Sequence, residues 1–273
     1  MKLLAFVICY NPDYSLLKEN ISAFYNYVDK VVIWDNSNCS EIESFVSQNF
    51  QGSNIECIYN NKNYGISQAL NFAWKYAKEG GFDALMSMDQ DSVWINFKDY
   101  KSIVENVYGN QKCIFGPEVN KETTDWHDIQ VTNFVITSGM IIPVEIIESV
   151  GGYPTEFFVD GIDIHMCTWA KIKGYNVYVV KGCILKQQFG ENIHFRLLNK
   201  YYLASNYSPS RLYGIFRNHI IIYRTTHSKP VLFLIKGFFI VYIRAILFFE
   251  KDKFHKLLAV IKGIISGIFY KKS

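Results

Sequence analysis

The sequence predicts an α/β fold in which a mostly parallel central sheet is flanked by helices and followed by an amphipathic helical extension. Three observations carry this prediction. Short apolar runs alternate with helical periodicity through residues 1–100, polar clusters follow the apolar runs, and residues 226–273 are basic and apolar. Strands that alternate with helices of this length imply parallel strands joined by right-handed crossovers.

Four strands are predicted first, because each is a continuous apolar run of strand length. They cover residues 3–9, 31–34, 55–59 and 84–88. Apolar residues with helical spacing predict the helices between them, at residues 14–27, 41–49 and 66–78. Further along, the same criteria predict helices at residues 144–150 and 162–173 and a strand at residues 176–180.

The first residues superficially resemble a signal peptide. Their apolar run is only about six residues long and no small-residue cleavage site follows it, so a first core strand is expected instead. The six cysteines are scattered and form no C-x-x-C pair, which is typical of core thiols in a reducing compartment.

Polar residues follow all four of the first predicted strands. The clusters are Tyr10-Asn11, Asp35-Asn36, residues 60–65 and residues 89–91. In an open α/β sheet, ligands bind beyond the carboxyl ends of the strands. The four clusters therefore predict a nucleotide site at that edge, although any α/β protein has polar loops.

The tripeptide Asp89-Gln90-Asp91 ends the fourth predicted strand. Two carboxylates one residue apart can share a hard divalent cation such as Mn²⁺ or Mg²⁺, and the cation can neutralise a diphosphate. A solvated acidic turn is the alternative, because short acidic pairs are common at strand ends.

Several motifs in order resemble the family 2 glycosyltransferases, which have the GT-A fold. They lie at residues 5–10, 34–37, 63–71 and 88–92. The form Asp-Gln-Asp-Ser, with residues 208–218 downstream, is similar to the bacterial rhamnosyltransferase-like branch, which builds O-antigens and capsules. The resemblance covers about residues 3–225.

This resemblance implies roles for the strand-end residues. Asp35 would hold the pyrimidine or ribose of a nucleotide sugar, and Asn63 and Gly65 would shape the loop beneath the nucleotide. Asp89 would lie near the ribose, and Asp91 would bind the metal that bridges the diphosphate. A strand-end turn remains the alternative for Asp35, and a turn or helix cap for Asn63.

Inverting sugar transfer also needs a base for the acceptor hydroxyl. Residues 157–163 resemble the segment that supplies it, with Asp163 in the catalytic place and Asp160 as its rival. A carboxylate in the first turn of a helix is often only a cap, and this alternative stays open. Ser138-Gly139 matches the loop that borders the acceptor side, or else marks a bend in a strand.

The sequence also departs from the family pattern. The family often has a histidine as a further metal ligand after the final core strand, where this chain has Gln187. His194, seven residues later, could take its place. Arg211 could pair with donor or acceptor phosphates, or could lie on the polar face of a packed helix.

Charge is distributed unevenly along the chain. From Arg211 onward there are 12 Lys/Arg residues and two acids, whereas the first 210 residues contain 16 Lys/Arg residues and 23 acids. The cations alternate with Leu, Ile and Phe, which favours a lipid surface over nucleic acid. Residues 231–249 are apolar but contain Lys236 and Arg244, so helices lying on the membrane are expected rather than a span. Packing on the catalytic domain or in a homodimer is the alternative.

Together these features predict a GT-A catalytic domain at residues 1–225 and a membrane-associating tail at 226–273. The expected activity is metal-dependent, inverting transfer of a sugar onto a lipid-linked oligosaccharide at the cytoplasmic face of the bacterial inner membrane. The donor expected first is dTDP-rhamnose, which supplies L-rhamnose. A UDP-galactose or other UDP-hexose donor is the alternative, as is a non-catalytic scaffold. A nucleotidyltransferase is disfavoured, because no Gly-rich loop follows the first strand.

Overall fold

A computed structural model describes residues 1–39, 41–52, 54–122, 126–187 and 206–271, together with the backbone of residues 193–197 and 200–204. The chain divides into two compact units, which are described separately. The first unit consists of Met1–Phe158 and Met166–Gln188, and the second of Val159–His165 and Phe189–Ser273.

A nine-stranded sheet forms the centre of the first unit. Its strands are β1 (Leu3–Cys9), β2 (Lys30–Asp35), β3 (Ile55–Tyr59), β4 (Ala84–Asp89), β5 (Ser92–Trp94), β6 (Cys113–Val119), β7 (Asp128–Val131), β8 (Met140–Pro143) and β9 (Asn176–Gln187). Their order is β3-β2-β1-β4-β8-β6-β9-β5, with β7 paired to β9. The helices in chain order are α1 (Tyr14–Ser22), α2 (Ile42–Asn49), α3 (Ile66–Glu79), α4 (Phe97–Tyr108), α5 (Val144–Val150) and α6 (Ile162–Ile172).

The first four strands form the parallel part of the sheet, as the sequence predicts. β1 pairs in parallel with both β2 and β4, and β2 pairs in parallel with β3. Their carboxyl ends therefore meet at one edge. The rest of the sheet is mixed, because β8 runs antiparallel to β4 and β6, whereas β6 and β9 are parallel.

Burial explains why β1 is a continuous apolar run. Leu3, Ala5 and Val7 belong to the same buried cluster as Leu17 and Ile21 of α1, while Leu4 and Phe6 face the other side of the sheet and are equally buried. A strand that is covered on both faces has no position for a polar side chain. Each fully buried Leu or Ile contributes about 1.5–3 kcal/mol of transfer free energy.

Two element boundaries differ from the sequence prediction. The helix predicted at residues 14–27 ends at Ser22, and a short 3-10 helix covers Tyr25–Tyr27, because Phe24 turns into the core against Phe97. The strand predicted at residues 176–180 continues to Gln187. A bulge interrupts its pairing with β6, since Pro117 pairs with Val180 and Glu118 with Ile184, and the polar residues at this bulge made the strand look finished.

In its described residues, the second unit contains an antiparallel pair of strands and three helices. They are β10 (Ile193–Leu197), β11 (Lys200–Ala204), α7 (Pro209–Thr226), α8 (Lys229–Phe248) and α9 (Lys253–Ile268). α7 begins where the Ser208 Oγ accepts a hydrogen bond from the Arg211 amide, and Pro209 supplies the fixed φ of a first turn. The domain boundary predicted at residue 225 falls near the end of α7 and stays a prediction.

α9 packs closely against α7 because two of its residues are glycines. A Cβ on Gly263 would lie 2.6 Å from the Tyr213 carbonyl oxygen, and one on Gly267 would lie 2.8 Å from that of Arg217. Neither distance leaves room for a side chain. Among the described residues, α8 is the helix long and apolar enough to cross a membrane, judged by length and composition alone.

Candidate active site

The loop after β2 is built around the Asp35 carboxylate. Its Oδ1 accepts hydrogen bonds from the backbone amide of Ser37, at 2.9 Å, and from the Ser37 hydroxyl. Asp35 is fully buried. The turn considered as an alternative for Asp35 is therefore present, and a contact between this carboxylate and a nucleotide stays a prediction.

Asn36, the next residue, connects this loop to the one after β3. Its side-chain oxygen accepts hydrogen bonds from Trp34 Nε1 at 2.8 Å and from the Tyr64 amide at 3.3 Å. In that second loop, Asn63 Oδ1 accepts a hydrogen bond from the Gly65 amide at 2.9 Å. Both asparagines thus fix the shape of the predicted nucleotide loop.

Gly65 allows the chain to approach at the start of α3. Its φ is +77°, and a Cβ there would lie 2.6 Å from the Phe158 carbonyl oxygen. That carbonyl also accepts a hydrogen bond from the Ile66 amide at 2.8 Å. Only glycine satisfies both the left-handed backbone and this contact.

Gln90 joins the loops after β1 and β4. Its Oε1 accepts a hydrogen bond from the Tyr10 amide at 2.6 Å, and its Nε2 donates to the Tyr10 carbonyl at 3.2 Å. The Asn11 amide in turn donates to Ser37 Oγ at 2.7 Å. The predicted residues at positions 10, 11, 35, 36 and 90 are therefore brought together at one edge of the sheet.

Asp89 is held from several directions. Gln187 Nε2 donates to its Oδ2 at 2.7 Å, Ser138 Oγ accepts from its amide at 3.1 Å, and Asn20 Nδ2 donates to its carbonyl at 2.6 Å. These contacts fix where the Asp89 carboxylate points. The Gln187 side chain occupies the place where a histidine was expected, and the His194 side chain lies outside the described residues.

Ser138 is fully buried, and its hydroxyl also donates to Ser92 Oγ at 2.8 Å. Gly139 has a φ of +78°, and a Cβ there would lie 2.8 Å from the Trp94 ring and 2.9 Å from Pro117. Both residues thus support the end of β4 from within. Their predicted contact with the acceptor stays a prediction.

The residues at the end of β4 fit a hard divalent cation. Burial raises the pKa of the half-buried Asp91, so a nearby positive charge would stabilise its ionised form. Gln187 Oε1 is a buried oxygen with no hydrogen-bond partner among the described residues. No group of three or more His, Cys, Asp and Glu residues comes together in the described part of the chain. A metal would bind through the two carboxylates and the Gln187 oxygen, with water and phosphate oxygens completing the shell, as Mg²⁺ commonly does.

Asp163 lies in the first turn of α6, within the second unit. Burial, together with the negative charge of Asp160, raises the pKa of the Asp163 carboxyl to about 6. A hydrogen bond from the Ile164 amide opposes this shift. Asp160 itself forms an ion pair with Arg211. Of the two predicted bases, Asp160 is therefore the one that pairs with an arginine.

The profile of glycosyl transferase family 2 matches residues 5–180, well over half of the chain. The chain belongs to glycosyl transferase family 2. It is similar over 97% of its length to the dTDP-rhamnosyl transferase RfbF of Shigella flexneri, at 23% identity and with 94% of that protein covered. The family assignment makes the protein a glycosyltransferase.

Solved glycosyltransferase structures share the fold. S. aureus TarS 1–349 in complex with UDP-GlcNAc aligns with a TM-score of 0.64 at 13% identity, over 97% of this chain and 82% of that one. The mannosyltransferase PcManGT of Pyrobaculum calidifontis, in complex with GDP-Man and Mn²⁺, aligns with a TM-score of 0.62 at 14% identity, over 99% and 88%. The chain spans about half, 48%, of GalNAc-T7. The GT-A fold predicted from the sequence is confirmed.

Sequence reasoning missed the side chains that support this family 2 site. In the sequence, Gln187 stands out only as a departure from the family pattern, whereas in the structure its side chain holds Asp89, 98 residues away along the chain. Asn20 and Ser37 were not singled out. Ser37 belongs to the motif at residues 34–37 after β2. A hydroxyl residue two positions after an aspartate is a usable sequence signal for a turn. Nothing in the sequence pointed to Asn20, which lies within a helix.

Proposed function

We propose that this glycosyltransferase transfers L-rhamnose from dTDP-rhamnose to a lipid-linked oligosaccharide, with inversion, in the synthesis of a bacterial surface polysaccharide. The similarity to a dTDP-rhamnosyl transferase over 97% of this chain and 94% of that protein carries the proposal. It extends through the helices of the second unit, beyond residues 5–180 matched by the family profile.

The nucleotide diphosphate would bind at the edge formed by the ends of β1, β2 and β4. Asp91, Asp89 and the oxygen of Gln187 are the residues that would hold Mn²⁺ or Mg²⁺ there, and the cation would offset charge on the departing diphosphate. The contact from Gln187 to Asp89 keeps one carboxylate in a fixed direction, which lowers the cost of ordering the site.

Asp163 would accept the proton of the acceptor hydroxyl. A pKa of about 6 suits this role, because the carboxylate is mostly ionised at pH 7 yet more basic than an ordinary aspartate. Burial and the nearby Asp160 both contribute to that basicity.

Calorimetry tests the donor site. Wild-type protein should bind dTDP in the presence of Mn²⁺, with at least about tenfold weaker binding in Asp91→Asn, because the amide removes one charge from the cation site. Glu79→Ala, which changes an exposed acid at the end of α3, is the matched control and should bind like wild type.

Preference for UDP over dTDP would replace the donor with a UDP-sugar. Folded wild-type protein that binds none of dTDP, UDP and GDP would contradict the donor site, and would leave the non-catalytic scaffold as the better account.

The membrane surface belongs to the same proposal, and α9 provides the observation for it. Phe254, Ile261, Ile265 and Phe269 recur at helical spacing and are 73%, 53%, 51% and 75% exposed. They form one apolar stripe along the outside of α9. The opposite side of the helix is covered, because Gly263 and Gly267 pack on α7.

Cations border this stripe. At 100° per residue, Lys262 projects on one side of it and Lys253 on the other, and both are exposed. An apolar stripe edged by lysines fits the interface of an anionic bilayer, where each lysine near the surface adds about 1 kcal/mol. A peripheral position on the cytoplasmic leaflet would bring the protein to the membrane that holds a lipid-linked acceptor.

Vesicle sedimentation tests the membrane surface. Wild-type protein should sediment with phosphatidylglycerol vesicles and less with phosphatidylcholine vesicles. Ile261→Ser with Ile265→Ser should release it, whereas Val131→Ser, an equally exposed apolar position on β7, should not. Equal binding by both variants would contradict a docking role for α9, and concentration-dependent dimers lost only in the α9 variant would assign the stripe to a second copy.

A further inference from the structure

The segment just before α6 has an unusual backbone. Asp160 has a φ of +57° and Gly161 a φ of +79°. For a residue with a side chain, this left-handed conformation is unfavourable. It persists only where surrounding contacts hold it, and Asp163 follows directly in the first turn of the helix.

Arg211 of α7 holds the side chain of Asp160. Its Nε lies 3.2 Å from Asp160 Oδ2, and its Nη2 lies 3.1 Å from Oδ1. The guanidinium also lies 4.1 Å from the centre of the Tyr207 ring. A two-point contact to a carboxylate combined with stacking fixes the direction of both groups.

Asn218 of α7 holds the backbone of the same segment. Its Nδ2 donates to the carbonyl of Val159 at 3.1 Å and to the carbonyl of Asp160 at 3.0 Å. Gly161 lies against this side chain and against Ile222, because a Cβ at position 161 would be 3.4 Å and 3.6 Å from them.

These contacts all come from one side of α7. Positions 211, 218 and 222 are separated by seven and four residues, which places them on a single face of the helix. Asn218 is 2% exposed. Its buried side-chain amide donates hydrogen bonds to both backbone carbonyl groups. Burying an amide is favourable only when it is hydrogen-bonded in this way.

We propose that this face of α7 is a positioning surface for the loop that carries Asp163, with Arg211, Asn218 and Asp160 as positioning residues. Asp160 is then held by Arg211 and does not act as the base, and Arg211 serves the loop instead of a phosphate. The inference rests on the proposed role of Asp163 in catalysis, but its contacts stand independently of any substrate.

Hydrogen exchange measured by mass spectrometry tests the proposal without a sugar donor. In Arg211→Gln, the amides of residues 160–165 should exchange at least about tenfold faster than in wild type, because local opening becomes easier. Arg224→Gln is the matched control: it lies on the same helix, but Arg224 donates to the carbonyls of Gly267 and Tyr270. Equal exchange in both variants would overturn the proposal. The same result is expected if Arg211 binds a phosphate and does not hold the loop.

A second measurement uses the charge of Asp160, in a variant that leaves α7 intact. In protein labelled with ¹³C at aspartate carboxyls, the Asp163 signal is the one lost in Asp163→Asn. When this signal is followed against pH, its titration midpoint should lie near pH 6 in wild type. The midpoint should fall by at least about half a pH unit in Asp160→Asn, because a neighbouring negative charge is removed. An unchanged midpoint would show that Asp160 does not act on Asp163. Wild-type protein that binds no nucleotide, while Arg211→Gln still exchanges faster and Asp160→Asn still shifts the Asp163 titration, would count against the proposed function and leave this inference standing.

Discussion

At the level of single residues, the two predicted bases have different surroundings. Asp160 is engaged by Arg211 at 3.1–3.4 Å, so its oxygens are occupied by a cation. Asp163 accepts a hydrogen bond from the Ile164 amide and lies close enough to Asp160 for that charge to raise its pKa. The same environment that makes Asp163 more basic also makes its ionised form costly for the folded protein.

Asp163→Asn should therefore stabilise the protein while abolishing transfer. The folded-state pKa of Asp163, about 6, is raised above its ordinary value, so the contribution of this carboxyl group to stability falls as pH rises from 4 to 7. Asparagine cannot ionise and does not lose this stability. The variant's melting temperature should exceed that of wild type by about 2–4 °C at pH 7.5, and the two should converge near pH 4.

Thermal unfolding followed by circular dichroism at several pH values gives the comparison. Asp99→Asn, which removes an acid from the first turn of α4, is the control. An Asp163→Asn variant that is less stable than wild type at pH 7.5 would show that the carboxylate is stabilised in the fold.

Strand ends and loops show how far the sequence could predict this site. The parallel order of β1–β4 and the polar residues at their ends follow from apolar runs and turn chemistry, which are local. The contacts from Gln187 to Asp89 and from Arg211 to Asp160 join residues 98 and 51 positions apart. No local pattern encodes such pairs, because tertiary packing alone brings them together.

α7 and α9 pack so closely that only glycine fits at positions 263 and 267 of α9. Gly263→Ala should destabilise the second unit by about 1–3 kcal/mol, since a Cβ would lie 2.6 Å from the Tyr213 carbonyl oxygen. Gly214→Ala on α7 is the matched change: nothing lies within 4 Å of its Cβ, and it should stabilise by about 0.5–1 kcal/mol through helix propensity.

Denaturant unfolding of the two variants measures this difference directly. Opposite signs are expected from the same chemical substitution, because only one of the two glycines faces a backbone. If both variants were stabilised, α7 and α9 would not pack at this distance in solution.

For the whole molecule, the two units have distinct parts in the proposed reaction. The first unit gathers Asp35, Gln90 and Asp89 at one edge of the sheet, where a nucleotide diphosphate would bind. The second unit carries Asp163, the face of α7 that holds its loop, and the apolar stripe of α9. The sequence predicted the first of these from motifs and the last from charge and hydropathy. It did not predict the α7 face as a whole: it left Arg211 between a phosphate contact and the polar face of a packed helix, and assigned no role to Asn218.

Transfer of labelled rhamnose is the most direct test of the central claim. Purified protein would be incubated with dTDP-[¹⁴C]rhamnose, Mn²⁺ and a lipid fraction that contains lipid-linked oligosaccharides, and label in extracted lipid would be counted. Wild-type protein should label the lipid, whereas Asp163→Asn should bind dTDP normally and transfer at least about a hundredfold less, the usual contribution of a general base. Equal labelling by both proteins, or label entering lipid only from a UDP-sugar, would contradict the account.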